Sequence, residues 1–288
     1  MYRASEASDG SLEAQWPRVS VVVPALNEAR NLPHVFPLIP AGIHEVILVD
    51  GRSVDDTVAV ARQLRPDVRV VTQTRRGKGN ALACGFAEAT GDVIAMVDAD
   101  GSADPGEIPR FVQVLLDGAD FAKGTRHIDG GGSADFTWIR RTGNRVLGTL
   151  FNVCYRRRYT DLCYGYNVFW TRCVPTLALN AAGIDQSISG TMPWGDGFEV
   201  ETLIHIRAAK AGLVVAEVPS FERSRIYGNS NLRAFADGLR VLKVILTELR
   251  PARRRQAIST GVPLAPRQRR PDAVIDDGLR DTAPVAGE

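Results

Sequence analysis

From Val19 to Asp100 the chain alternates short β-branched runs with helical stretches, and the runs end on a proline or an acid. Val19 to Val23 stops at Pro24, and Glu45 to Val49 stops at Asp50. A helical stretch from Asp56 to Leu64 leads into the strand-like Val68 to Thr72, and a second from Gly79 to Ala89 leads into Asp92 to Val97, which stops at Asp98. This alternation needs crossover connections, so it predicts an α/β fold with a mostly parallel central sheet and helices on both faces. Ligands of such sheets bind beyond the carboxyl ends of the strands. Three of those ends carry Pro24 to Glu28, Asp50 and Asp98-Ala-Asp100, acids that fold stability does not require.

The length of 288 residues, 44% of them apolar and 24% charged, suits a single globular domain with a real core. Thirty-five basic residues against 33 acidic ones leave a net charge of +2, which gives no overall field for nucleic acid. Cys84, Cys154, Cys163 and Cys173 form no CxxC pair, so reduced, packed thiols are expected and a zinc site is not. The start lacks a basic segment running into an apolar one, and no apolar run is long enough for a membrane span. A cytoplasmic protein is expected, with peripheral contact at the inner face of a membrane as the remaining option. Residues 1–17 read as a disordered leader, 18–250 as the folded domain, and 251–288, with five prolines and seven arginines, as a disordered tail.

A dinucleotide fold would place GxGxxG after the first strand, where this chain has Pro24-Ala-Leu-Asn-Glu28. A P-loop is absent as well, because Lys78 is followed by glycine and the required earlier glycine position holds Thr72. What remains is a metal-assisted site for a sugar nucleotide. Asp98 and Asp100 can turn two carboxylates toward one hard cation, Mg2+ or Mn2+, that also binds phosphate. The plain alternative for this pair is a solvated Asp-Gly turn.

Val19-Ser-Val-Val-Val-Pro-Ala-Leu-Asn-Glu28, Val49-Asp50-Gly-Arg-Ser53-Val-Asp-Asp56-Thr57, Arg76-Gly-Lys-Gly79-Asn-Ala81 and Val97-Asp98-Ala-Asp100 together resemble the family 2 inverting glycosyltransferases of the GT-A fold. The likeness runs from about Val19 to Leu249 and is strongest to the dolichyl-phosphate-mannose-synthase-like branch. It implies a nucleotide-sugar-binding half over residues 18–126 and an acceptor half over 127–250. It also implies that Pro24, Asn27, Glu28 and Asp50 shape the nucleoside pocket, that Lys78 lies near the nucleotide, and that Asp98 and Asp100 handle ribose, diphosphate and metal. The partners implied are a nucleoside-diphosphate sugar and a lipid-phosphate, glycan or small-molecule acceptor.

In the second half, Phe121-Ala-Lys-Gly124-Thr-Arg126 resembles a family strand whose arginine approaches phosphate. Asp161 to Asn167 resembles an acceptor-side segment, with Tyr164 in place of Ser and Asn167 in place of Arg. Gly195 to Glu201 resembles the segment that brings acids toward the acceptor. If the stretch is extended, Glu199 and Glu201 share one side, and Asp196, Glu199 or Glu201 would take the proton of a hydroxyl acceptor. Caps on the following helix are the plain reading of these three acids. Arg225-Ile-Tyr-Gly228-Asn-Ser230-Asn231 resembles a diphosphate-binding loop in which Arg225 and Ser230 contact the donor, with Asn231 in place of Lys.

Two helical stretches carry a choice of roles. Trp138 to Tyr159 carries Arg140, Arg141, Arg145 and Arg156 to Arg158 at its ends, and Leu232, Phe235, Leu239, Leu242, Ile245 or Leu246, and Leu249 form a later stripe with Arg233, Arg240 and Lys243 around it. Packing against the domain is expected for both; the alternative is contact of the arginines with an anionic acceptor or lipid headgroups for the first, and docking on a membrane surface for the second. Two other functions fit less of the pattern: a sugar-phosphate nucleotidyltransferase, and a non-catalytic nucleotide-sugar-binding scaffold.

Overall fold

The computed structural model describes residues 16–182, 192–228 and 234–249. In chain order the elements are β1 (Val19–Ala25), α1 (Leu32–Val35), β2 (Glu45–Asp50), α2 (Thr57–Leu64), β3 (Arg69–Thr72), α3 (Lys78–Glu88) and β4 (Val93–Met96). There follow α4 (Ile108–Leu116), β5 (Phe121–Thr125), β6 (Gly132–Ser133), α5 (Trp138–Tyr155), β7 (Asn167–Trp170) and α6 (Val174–Leu177). The last are α7 (Val200–Lys210), β8 (Val215–Pro219), β9 (Phe221–Glu222) and α8 (Ala234–Glu248). Ser230, Asn231, residues 1–15 of the expected leader and the tail over 251–288 lie outside the described residues.

Seven strands form the main sheet in the order β3-β2-β1-β4-β7-β5-β8. All neighbours are parallel except β7, which runs antiparallel to both β4 and β5. The alternation read from the sequence extends only to β4, and β7 enters between two strands that precede it. The short pair β6 and β9 makes a second, two-stranded sheet.

Strand side chains alternate between two buried layers. Val21, Val23, Leu48 and Ala95 join α1, α2 and α4 on one face, while Val22, Ile47, Val49, Ile94 and Met96 join α3, α6 and α7 on the other. Burial on both faces explains why these strands read as unbroken apolar runs. A third cluster, with Phe151, Leu203, Ile206, Val244 and Ile245, binds α5, α7 and α8 to one another.

That cluster corrects part of the expectation for the α8 stripe, of which Ile245 packs inward while Leu239 and Leu246 do not. The residues packed inward are Val241, Val244 and Ile245, on the side of the helix opposite Leu239 and Leu246. Apolar residues also occur outside the buried side of this helix, so burying Val241, Val244 and Ile245 leaves Leu239 and Leu246 uncovered. Helix α5 also ends four residues before the expected Tyr159, at Tyr155, because Arg156 takes a left-handed conformation with φ 53°. The chain then turns back and Tyr159 stacks on Phe151 at 5.2 Å.

Helix α3 sits unusually close to the sheet at Gly85, where a Cβ would lie 2.3 Å from Val22 Cγ1. An alanine gains about 1 kcal/mol of helix propensity over glycine, but overpacking a tight interior costs about 1–3 kcal/mol. Gly85→Ala is therefore expected to lower the urea midpoint, and a raised midpoint would show that α3 can move outward freely.

Candidate active site

The strand order reverses between β1 and β4, and the loops after these two strands diverge to leave a crevice. Asn27 adopts φ 58°, a left-handed conformation that asparagine tolerates, and this turns its side chain onto the neighbouring loop. Its Oδ1 accepts the Val54 amide at 2.8 Å, while its own amide donates to Ser53 Oγ at 2.9 Å. Asp50 caps the same loop, accepting the Arg52 and Ser53 amides at 3.1 Å each. Neither Asn27 nor Asp50 lines the crevice. They fasten together the loops that form it.

The crevice has a volume of about 280 Å3 and is bordered by Pro24, Glu28, Gln73, Lys78, Asp98, Asp100 and Arg225 among others. Arg225 closes one side. Its guanidinium pairs with Glu28 and reaches Asp100 at 3.4 Å, and its Nε donates to the Tyr227 carbonyl at 2.9 Å. Burial pushes the Glu28 carboxyl up despite the opposing pull of Asn31 and Arg225. The Arg225 segment is strapped over the end of β4: the Ile226 amide donates to the Asp100 carbonyl at 3.2 Å, and the Tyr227 amide to Asn31 Oδ1 at 2.9 Å. Gly101, at φ +80°, lets the chain pass beneath, since a Cβ there would come within 2.6 Å of Ile226.

Lys78 begins α3, and its ammonium lies 2.7 Å from Asp98 and 2.8 Å from Glu201. Burial alone would lower its pKa, but the two carboxylates outweigh burial and hold it above the ordinary lysine value. Glu201 is displaced upward by the same burial, with Lys78 pulling the other way. The approach of α3 to the 195–196 backbone depends on small residues. A Cβ at Gly77 or Gly79 would fall 2.1 Å from the Asp196 carbonyl or 1.8 Å from that of Gly195.

The three acids of the 196–201 segment separate sharply. Asp196 is buried, with both oxygens on Arg75 at 2.7 and 2.8 Å. Glu199 is also buried and accepts the Gly195 and Gly197 amides, each at 3.3 Å. Glu201, in contrast, lines a cavity. The reading in which Glu199 and Glu201 share a side is corrected here: α7 starts at Val200, and helical residues two apart point in different directions.

A second cavity of about 530 Å3 adjoins the first and shares Lys78, Asp98, Asp100, Phe198 and Arg225 with it. Its walls come from α5 and α8, through Ile139, Val146, Leu239 and Leu242, and its polar border holds Glu201, Arg126 and Arg223. Arg126 is engaged by both oxygens of Asp161, at 2.7 and 2.9 Å, and by Glu222 at 2.9 Å. Tyr164 and Asn167, the two departures in the 161–167 segment, are both buried. The Tyr164 hydroxyl meets Ser220 at 2.9 Å, and Asn167 lies within β7.

Asp98 and Asp100 offer carboxylate oxygens, the donors that Mg2+ and Mn2+ take. No group of three or more His, Cys, Asp or Glu that could hold a metal occurs among the described residues. Such a pair suits a cation that draws its other ligands from phosphate and water, so the residues fit the ion.

The sequence model of Glycosyl transferase family 2 matches residues 20–174. An uncharacterized glycosyltransferase of Mycobacterium tuberculosis is 34% identical over 214 residues, 74% of this chain and 89% of that protein. This chain belongs to glycosyl transferase family 2. A dolichol-phosphate mannosyltransferase of Pyrococcus furiosus is 34% identical over 131 residues, 43% of this chain and 37% of that one. Among solved structures, glucosyl-3-phosphoglycerate synthase of M. tuberculosis, in complex with Mn2+, UDP and glucosyl-3-phosphoglycerate, superposes with a TM-score of 0.59. It is 23% identical, with 86% of each chain covered, and this likeness is one of fold, GT-A.

In this family 2 glycosyltransferase Pro24, Glu28, Lys78, Asp98, Asp100 and Arg225 converge on one crevice, Arg126 and Glu201 border the adjoining cavity, and Asn27, Asp50, Asp196 and Glu199 stand behind them. Gln73, Arg75 and Asn31 were not singled out in the sequence. Gln73 follows β3, Arg75 pairs with Asp196 more than a hundred residues away, and Asn31 joins nearby Glu28 to the distant Tyr227 carbonyl. Asp196→Asn leaves the buried Arg75 unpaired and is expected to lower the unfolding free energy by about 3 kcal/mol or more. Glu201→Gln leaves Lys78 its second carboxylate partner, Asp98, and should cost less than about 1.5 kcal/mol. Urea titrations of both variants compare them directly, and equal losses would place the two acids in one role.

Proposed function

We propose that the chain is a metal-dependent inverting glycosyltransferase that moves a sugar from a nucleoside-diphosphate sugar to a lipid phosphate. The carrying observation is the meeting of two unlike cavities at Lys78, Asp98, Asp100 and Arg225. The smaller, at the strand ends, offers cations and carboxylates to a nucleotide. The larger combines cations with walls of Ile139, Val146, Leu239 and Leu242, which suits an acceptor having an anionic head and an apolar chain. The mycobacterial neighbours crystallised with UDP, Mn2+ and phosphoglyceric acid support a nucleotide donor and a phosphate-bearing acceptor.

In this reading Asp98 and Asp100 hold Mg2+ or Mn2+, which when bound neutralises charge on the diphosphate. Arg225 lies against the same group and stabilises the negative charge that grows as the glycosidic bond breaks. An acceptor oxygen attacks the anomeric carbon from the opposite side. The bond to the nucleoside diphosphate breaks with its electron pair, and the configuration inverts. A phosphomonoester, with a second pKa near 6, is ionised at neutral pH and needs no base. Glu201 then serves to hold Lys78 and orient the acceptor, while Asp196 and Glu199 hold the 195–201 turn in place. Arg126 orders the wall of the acceptor cavity through Asp161 and Glu222.

Calorimetry with UDP-, GDP- and dTDP-sugars, with and without Mn2+, tests the donor half. One nucleotide is expected to bind in a manner that EDTA abolishes, and Asp100→Ala should weaken it about tenfold or more, the value of a contact to a charged group. A folded protein that binds none of the three overturns the reading. Release of pyrophosphate from a nucleoside triphosphate and a sugar phosphate would make the chain a nucleotidyltransferase instead.

A further inference from the structure

Helix α5 leaves a line of apolar side chains uncovered. Ile139, Val146 and Val153 follow one another at intervals of seven and are 44%, 62% and 74% exposed, and Trp138 beside them is 77% exposed. Seven residues are close to two helical turns, so these side chains share one side. Across the adjoining cavity, Leu239 on α8 is 67% exposed and Leu246 is 49% exposed. The opposite sides of both helices are occupied by the cluster of Phe151, Val244 and Ile245, so neither helix can rotate its apolar surface inward. Single exposed apolar residues are ordinary, but two adjacent helices exposing aligned rows are not.

Charge accompanies this surface. From Trp138 to Arg158 the sequence has six arginines and no acid. Arg145 and Arg156 flank the apolar line of α5, and among the described residues neither they nor Lys243 on α8 has an ion-pair partner. Apolar side chains bordered by unpaired cations are what a helix needs to lie in the headgroup layer of an anionic bilayer: the cations meet phosphates and the apolar groups enter the acyl boundary. A protein partner would have to supply both an apolar ridge and matching acids, whereas an anionic bilayer supplies both by its nature. No helix among the described residues is long and apolar enough to cross a membrane, so this contact would be one of surface.

We infer that the outer sides of α5 and α8 together form a docking surface for anionic phospholipid membranes, seated with both helices along the bilayer plane and the cavity between them facing the lipid. The surface stands on exposure and charge alone. It goes beyond the proposed reaction, and it would place a lipid acceptor at the mouth of the larger cavity.

The test is co-sedimentation of the full chain with vesicles of phosphatidylcholine alone, or of phosphatidylcholine and phosphatidylglycerol in equal parts. Binding is expected to the mixed vesicles only and to weaken with added salt. Each cation near an anionic surface is worth about 1 kcal/mol, a factor of about five. The triple variant R145Q/R156Q/K243Q should therefore lose on the order of a hundredfold in partitioning. Brominated acyl chains should quench tryptophan fluorescence in the unsubstituted protein and much less in Trp138→Phe, which locates the contact. Failure of the folded protein to bind mixed vesicles overturns the inference, as does binding that the triple variant keeps. A dimeric mass in solution, with Trp138 shielded from acrylamide and no vesicle binding, would assign the surface to a second copy of the chain. Donor calorimetry on the same samples keeps the two proposals apart, since a protein that binds no donor can still bind vesicles and the reverse.

Discussion

The ammonium of Lys78, held between Asp98 and Glu201, is the contact on which the candidate site depends. Asp98 ends a strand of the first half, and Glu201 stands in the first turn of α7, so a single cation ties the donor crevice to the acceptor cavity. Its pKa shows which force prevails. Burial by itself would favour the neutral amine, yet two carboxylates at hydrogen-bond distance keep it charged. An apolar residue here would leave two carboxylates facing each other across a partly desolvated gap.

Three arginines, in four further ion pairs, repeat this logic. Arg75 with Asp196, Arg126 with Asp161 and Glu222, and Arg225 with Glu28 each join segments far apart in the chain. Buried pairs are poor sources of net stability, because desolvation consumes most of the Coulomb gain. What they supply is position. Each is intolerant of a missing partner and fixes a loop that no helix or strand holds. The loops around a phosphate site have to be both charged and well placed, and charged pairs that lock one another in register meet both demands.

The parallel sheet up to β4 is legible in the sequence because burial on both faces forces continuous β-branched runs, and crossovers force the helices between them. The same holds for Pro24, Asp98 and Asp100, whose positions at strand ends follow from that pattern. Strand β7 is not legible: Asn167–Trp170 is four residues long and carries a buried asparagine, and it pairs with strands on either side only after β4 and β5 have left a gap. The acids of the 196–201 segment read alike in the sequence, but Asp196 is taken by Arg75 and Glu201 by Lys78.

By itself the sequence determined that this chain makes a doubly covered α/β sheet with acids gathered at its carboxyl edge, since periodicity and strand-end chemistry are local properties. Tertiary structure alone decided which acids face a cavity and which are neutralised behind it. It also decided that α8 buries Val244 and Ile245 and leaves Leu239 and Leu246 outside. The reason is physical: an ion pair between residues 75 and 196, or the choice of which apolar residues of a helix turn inward, depends on which partner arrives, and no spacing along the chain encodes that arrival.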